Sequence, residues 1–131
     1  MLCVTAGAAL ILALGEGDFS LAWSHSVTHD AWVEEWNAGP EGLTLKTALV
    51  KGPGAGLEIP DHAIREAEGW RYTPSLPPQA ELILAASGET GGGWQLCQKG
   101  SCYELGAQAG PRLRLSRQVP DCASALPHPL P

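Results

Sequence analysis

Apolar residues recur along this chain mainly with a period of two, the repeat of a strand that buries one face. In Asp18-Phe19-Ser20-Leu21-Ala22-Trp23-Ser24-His25, Phe19, Leu21 and Trp23 fall on one side and Ser20, Ala22 and Ser24 on the other. Asp30 to Asn37 repeats the pattern less cleanly, with Trp32 and Trp36 together and Val33 opposite. Across Leu43 to Val50 the alternation sends Leu43, Leu45 and Leu49 inward and Thr44 and Lys46 outward. The preceding Gly39-Pro40-Glu41-Gly42 has the composition of a hairpin turn. Further strands are expected at Glu81–Ala86 and from Trp94, and Arg112-Leu113-Arg114-Leu115 reads as one edge strand. Helix signals are confined to Pro60–Glu68, about two turns with Gly69 as the stop, too short to persist without packing. Pro74, Pro77 and Pro78 stiffen an extended connection from Tyr72 to Pro78. The pattern predicts an all-β domain over residues 1–110, an antiparallel sandwich or partly open barrel of about eight or nine short strands, with at most one short helix near 60–68. Residues 111–131 are expected to supply the edge strand and a Pro-rich tail.

A chain of 131 residues suits a single modest core and has no room for a second catalytic domain. Its formal charge of -6 argues against a nucleic-acid groove, which needs clustered Lys or Arg, so no nucleic-acid partner is expected. The longest weakly polar stretch, Leu2 to Leu14, falls short of the roughly twenty residues of a spanning helix, and no transmembrane span is expected. Its length is nearer a signal-peptide core, although no Lys or Arg precedes it. A strand pair, Leu2–Thr5 and Ala8–Leu14 turning around Ala6-Gly7, is the expectation, and a remnant signal segment is the alternative.

The four cysteines, Cys3, Cys97, Cys102 and Cys122, allow three full pairings. The C-x4-C spacing fits neither a zinc knuckle nor a thioredoxin-type pair. If Lys99-Gly100 are the turn of a hairpin, Cys97 opposes Cys102 in a non-hydrogen-bonded pair, with Cα atoms about 4.5 Å apart. That lies within disulfide range, so a Cys97–Cys102 bond is expected, with reduced, packed thiols as the alternative. Whether Cys3 meets Cys122 depends on topology. Four cysteines permit an oxidising compartment without requiring one.

His25 and His29 could converge on a metal with Asp30, Glu34 or Glu35 as a third ligand, but the spacing does not demand it. His25 equally suits a polar ligand site or a structural hydrogen bond. Ser24 and Ser26 flank His25 on a strand, where neighbours point to opposite faces, and no G-x-S-x-G elbow is present, so no catalytic residue is assigned. Lys51-Gly52-Pro53-Gly54-Ala55-Gly56 fits neither the phosphate-loop nor the dinucleotide pattern. Gly52, Gly54 and Gly56 serve a tight loop, or else a ligand or partner contact rimmed by Lys51 and Glu58. Glu34 shares a face with Trp32 and Trp36, where a carboxylate must be solvated, paired or used; His25, Lys46 and Lys51 are its candidate partners. The tryptophans either fill the core or form a ligand platform, and Trp70 is expected nearest the surface. His62 and His128 read as surface residues. The candidate contact set is therefore His25, Glu34, Lys51, Gly52, Gly54, Gly56, Glu58 and Trp70, and no cofactor is expected.

Several segments belong together: Trp23-Ser24-His25-Ser26-Val27, Trp32-Val33-Glu34-Glu35-Trp36, Lys51-Gly52-Pro53-Gly54-Ala55-Gly56, Gly69-Trp70, and Gly93-Trp94-Gln95-Leu96-Cys97 followed by Cys102. Taken together they resemble the uncharacterised bacterial DUF1850 family. The resemblance runs from about residue 2 to residue 106. Members are small proteins often encoded beside the membrane subunits of TAXI-type TRAP transporters, which import solutes. The resemblance thus implies an extracytoplasmic, periplasmic role with a transporter, by contact with a membrane subunit or a small solute, and it carries over no catalytic residue. A purely structural assembly module, and a metal-dependent enzyme or metal-binding protein using His25, His29 and a nearby carboxylate, are the alternative readings.

Overall fold

The period-two segments do become strands; the computed structural model describes residues 1–24, 31–51, 62–66, 69–86 and 93–122, and among these residues eleven strands occur, against the eight or nine expected. In chain order they are β1 (Leu2–Ala6), β2 (Ala9–Leu14), β3 (Gly17–Ser24), β4 (Ala31–Gly39), β5 (Gly42–Lys51), β6 (Ile64–Glu66), β7 (Gly69–Tyr72), β8 (Glu81–Leu84), β9 (Trp94–Gln98), β10 (Ser101–Leu105) and β11 (Leu113–Arg117). They form two antiparallel sheets, a four-stranded one ordered β2-β1-β11-β8 and a seven-stranded one ordered β10-β9-β3-β4-β5-β7-β6. The sheets do not close into a barrel, and no helix occurs among the described residues. The Leu2–Leu14 stretch forms the hairpin β1–β2, turning through Gly7 at φ 59°.

The two sheets share one core. Leu2, Val4, Leu84, Leu113 and Leu115 from the smaller sheet pack with Phe19, Leu21, Trp36, Ala38, Leu43, Leu45, Leu96 and Leu105 from the larger. The chain crosses between the sheets just before β8, where Gln79 exchanges two backbone hydrogen bonds of 2.8 Å with Leu43.

Three expectations are corrected. Residues 64–66 of the expected helix extend as β6, because Ile64, Arg65 and Glu66 pair with Arg71, Trp70 and Gly69; so short a helix had too few internal hydrogen bonds to resist that pairing. The strand expected at an edge, β11, lies between β1 and β8, since Leu113 and Leu115 are both core residues. Leu49 does not share a face with Leu43 and Leu45. Between β4 and β5 the register passes from Glu35↔Thr47 to Trp36↔Leu45, which leaves Lys46 as an extra residue in β5. Such a bulge reverses the alternation beyond it. Ala48 and Val50, both fully buried, therefore continue the face of Leu43 and Leu45.

All four cysteines are oxidised. Cys97 and Cys102 face each other in the β9–β10 hairpin with Cα atoms 4.1 Å apart, as the two-residue turn requires. Lys99 (φ 51°) and Gly100 (φ 83°) both take the positive φ that suits a tight hairpin with strand twist. Cys3 bonds Cys122 across 119 positions and ties the end of the described chain to β1. Bonds of this kind persist in oxidising, extracytoplasmic compartments. No helix among the described residues is long and apolar enough to cross a membrane.

Candidate functional site

Directly opposed residues of an antiparallel pair project to the same side, so the register fixes what each face of the larger sheet displays. On the core-facing side one row reads Trp23, Trp32, Val50, Trp70 and Arg65 across β3, β4, β5, β7 and β6. Trp94 extends the row from β9, its ring 6.4 Å from that of Trp23. The next row reads Tyr103, Leu96, Leu21, Glu34, Ala48 and Tyr72. Phe19, Trp36 and Leu45 follow. All eight aromatic residues, five Trp, two Tyr and one Phe, thus lie on one face. The reverse face is mixed: one row reads Ala22, Val33, Leu49, Arg71 and Ile64, and the rows beside it are polar. There Asp18 accepts from Asn37 and Lys46 at 2.8 and 2.9 Å, and Arg71 donates to Glu66 at 2.8 Å and to Thr47 at 3.1 Å.

The aromatic face is divided by depth. Phe19 and Trp36 lie in the core, whereas Trp23, Trp32, Trp70 and Tyr72 are half-buried and stand outside the shared apolar cluster. Glu34 sits at that boundary, half-buried, on the row between the two indoles of its own strand. Its Oε1 accepts a hydrogen bond from Trp36 Nε1 at 3.2 Å. The rings of Trp32 and Tyr72 meet edge to face at 6.4 Å and 86°, and His62 approaches Tyr72 at 6.2 Å and 83°. Burial pushes the Tyr72 phenol above its ordinary value, and the negative charge of Glu34 adds to the shift. At the outer end Arg65 lies over the Trp70 ring, 5.4 Å from its centroid.

Of the sequence-derived contact set, Glu34 and Trp70 lie on this face. Trp70 is half-buried, as Trp23, Trp32 and Trp94 also are. Lys51 is placed by its backbone at the end of β5, opposite Ala31 and Gly69. His25, His29, Gly52, Gly54, Gly56 and Glu58 lie outside the described residues. The strands place Ser24 and Lys51 at the same end of the sheet, each opposite Ala31 of β4. Sequence reasoning named Lys46 as a partner for Glu34, but Lys46 is the bulged residue and reaches Asp18. It put Trp36 on the face of Glu34 without naming it as a partner, and it missed Tyr72, which only cross-strand register brings near. Among the described residues no three His, Cys, Asp or Glu side chains gather as a metal site.

Two shallow grooves lie elsewhere. One of about 520 Å³ crosses the outer face of the smaller sheet, lined by Thr5, Gly7, Glu81, Ile83, Pro111, Arg112 and Arg114. The other, about 300 Å³, lies on the larger sheet beside Asp18, Ser20, Glu35, Lys46 and Cys97.

No curated protein and no solved structure matches this chain. A family model described as a domain of unknown function, DUF1850, matches residues 19–105, the stretch from β3 through β10 that builds the larger sheet and β8. The chain belongs to the DUF1850 family.

Proposed function

We propose that this protein is a non-enzymatic, periplasmic binding domain that works with a TRAP-type transporter and takes a small solute on the half-buried aromatic face around Glu34. One observation carries the reading. A small domain needs aromatics in its core, yet Trp23, Trp32, Trp70 and Tyr72 lie beyond that core with a carboxylate set beside them. Rings left part-exposed around a few fixed polar groups are the usual composition of a solute site. The transporter link rests on the likeness to DUF1850 proteins encoded beside TRAP membrane subunits, and the two disulfides suit the periplasm.

A second reading has its own support. Leu10, Thr5, Arg114 and Ile83 form a row across the outer face of the smaller sheet, with Leu10 and Ile83 exposed. A membrane subunit would seat on that row, beside the groove that Arg112 and Arg114 line.

Thermal shift and tryptophan fluorescence against a panel of small solutes test the first reading. At least one solute raises the melting temperature, and Trp32→Ala abolishes that response while Ile83→Asp does not. Co-purification with the transporter's membrane subunits tests the second, with the dependence on the two variants reversed. Retained capture by Ile83→Asp overturns it.

A further inference from the structure

We infer that the solute site selects a small organic cation, an ammonium group set in the corner that the rings of Trp32 and Tyr72 form, beside the carboxylate of Glu34. The inference rests on the solute-binding reading above and specifies its chemistry. Three observations carry it. Trp32 and Tyr72 stand at 86° to each other with centroids 6.4 Å apart, which gives two walls meeting at a right angle. Aromatic faces and edges differ in charge, and the electron-rich faces attract cations. Glu34 is the one charged residue in its cross-strand row of Tyr103, Leu96, Leu21, Ala48 and Tyr72. Trp36 Nε1 engages its Oε1, and its second oxygen has no hydrogen-bond partner among the described residues. A cation bound there would give this half-buried carboxylate, with apolar neighbours along its row, an opposite charge at close range.

The third observation is internal. At the outer end of the same face the protein already holds a cation over an indole, the Arg65 guanidinium 5.4 Å from the centroid of Trp70. The face therefore accommodates positive charge against tryptophan in this fold. At the inner end Glu34 supplies a negative charge near enough to Tyr72 to help raise its phenol. A carboxylate-bearing solute would meet Glu34 as a like charge, and a neutral one would leave that carboxylate as it is.

Tetramethylammonium, its near-isosteric neutral counterpart tert-butanol, and sodium chloride at matched ionic strength provide the test, read by tryptophan fluorescence on the full chain. Tetramethylammonium is expected to give a saturable change absent with sodium chloride, and to bind at least tenfold more tightly than tert-butanol. Glu34→Gln keeps a carbonyl for Trp36 Nε1 and removes the charge; it is expected to weaken tetramethylammonium about tenfold and leave tert-butanol unchanged. Trp32→Ala weakens both. Circular dichroism and the melting temperature establish that each variant is folded, and Trp32→Phe replaces Trp32→Ala if the latter is not. Equal binding of the two probes, insensitive to Glu34→Gln, overturns the cation inference and leaves the solute site standing. Silence with both probes and with the solute panel overturns the two together.

Discussion

The properties of Glu34 follow from its neighbours more than from its chemistry. On an ordinary exposed strand it would be one of many solvated carboxylates, but here Trp36 donates to it and Tyr72 feels its charge. This gives a prediction at a single residue. In an alkaline titration followed by phenolate absorbance, with Tyr72→Phe identifying the signal, Tyr72 ionises above the ordinary tyrosine range of about 10. Glu34→Gln brings it only part of the way back, because burial is the larger cause. Ionisation of Tyr72 at or below the ordinary value would mean that the phenol is solvated and far from the carboxylate. The stability sign follows from the direction of the shift. A phenol whose folded pKa is raised costs stability as pH rises from about 10 through the folded value, so alkaline unfolding of the wild type is steeper than that of Tyr72→Phe.

At the scale of elements, tight turns and one bulge decide which side chains meet. Gly42 closes the β4–β5 hairpin at φ +115°, and a Cβ there would stand 2.6 Å from the backbone oxygen of Gln79. That oxygen accepts from Leu43 N at the crossing between sheets and has no room to retreat. Gly42→Ala is therefore expected to cost more than about 1 kcal/mol in urea unfolding, whereas an exposed substitution stays within about 0.5 kcal/mol. The two disulfides make a second contrast. Cys97–Cys102 joins residues five apart on the edge hairpin, with Cys102 exposed, while Cys3 and Cys122 are 119 apart and buried. Loop-closure entropy assigns about 2 kcal/mol to the short ring and about 5 kcal/mol to the long one. Mild dithiol reduction followed by alkylation and mass spectrometry should label Cys97 and Cys102 first, with the β-sheet circular dichroism signal unchanged. Earlier labelling of Cys3 would show that the N-terminal strand opens more readily than the hairpin.

The whole molecule is a sandwich whose larger sheet is apolar and aromatic on one side and laced with ion pairs on the other. Other ion pairs, off that face, join distant parts of the chain. Arg117 holds Glu16 at 2.8 Å, and the N-terminal ammonium reaches the same oxygen at 3.5 Å. The Arg117 hydrogen bond chiefly, with help from the ammonium, keeps the Glu16 carboxyl below its ordinary range. Asn37 and then Lys46 do the same for Asp18. Carboxyls depressed in the folded state contribute stability that is present above their unfolded values of about 4 and is lost as pH falls through the folded ones. The urea midpoint is expected to drop below about pH 4, and less so in Asp18→Asn with Glu16→Gln. Both groups are exposed, so the difference is small and fades at high salt. A double variant with the wild-type acid profile would remove these pairs from the account.

Much of this architecture was legible along the chain because its causes are local. Phe19-Ser20-Leu21-Ala22-Trp23 can bury one side only as a strand. The Lys99-Gly100 turn sets the Cys97–Cys102 pairing by counting residues, and Glu34 falls on the face of Trp32 and Trp36 for the same reason. What the sequence hid depends on partners remote in the chain. The bulge at Lys46 reverses the face of Leu49, because Trp36 pairs with Leu45 and not with Lys46. Residues 64–66 extend because β7 offers them hydrogen bonds worth more than one helical turn supplies. The Cys3–Cys122 bond and the interior place of β11 depend on how the chain ends return to β1. Sequence alone thus determined that the chain is a β protein with its aromatics on strand faces, since alternation is a property of neighbours. Tertiary structure alone decided that all eight rings share one face and that Tyr72 stands beside Trp32 and Glu34, since cross-strand register joins residues that no local pattern connects.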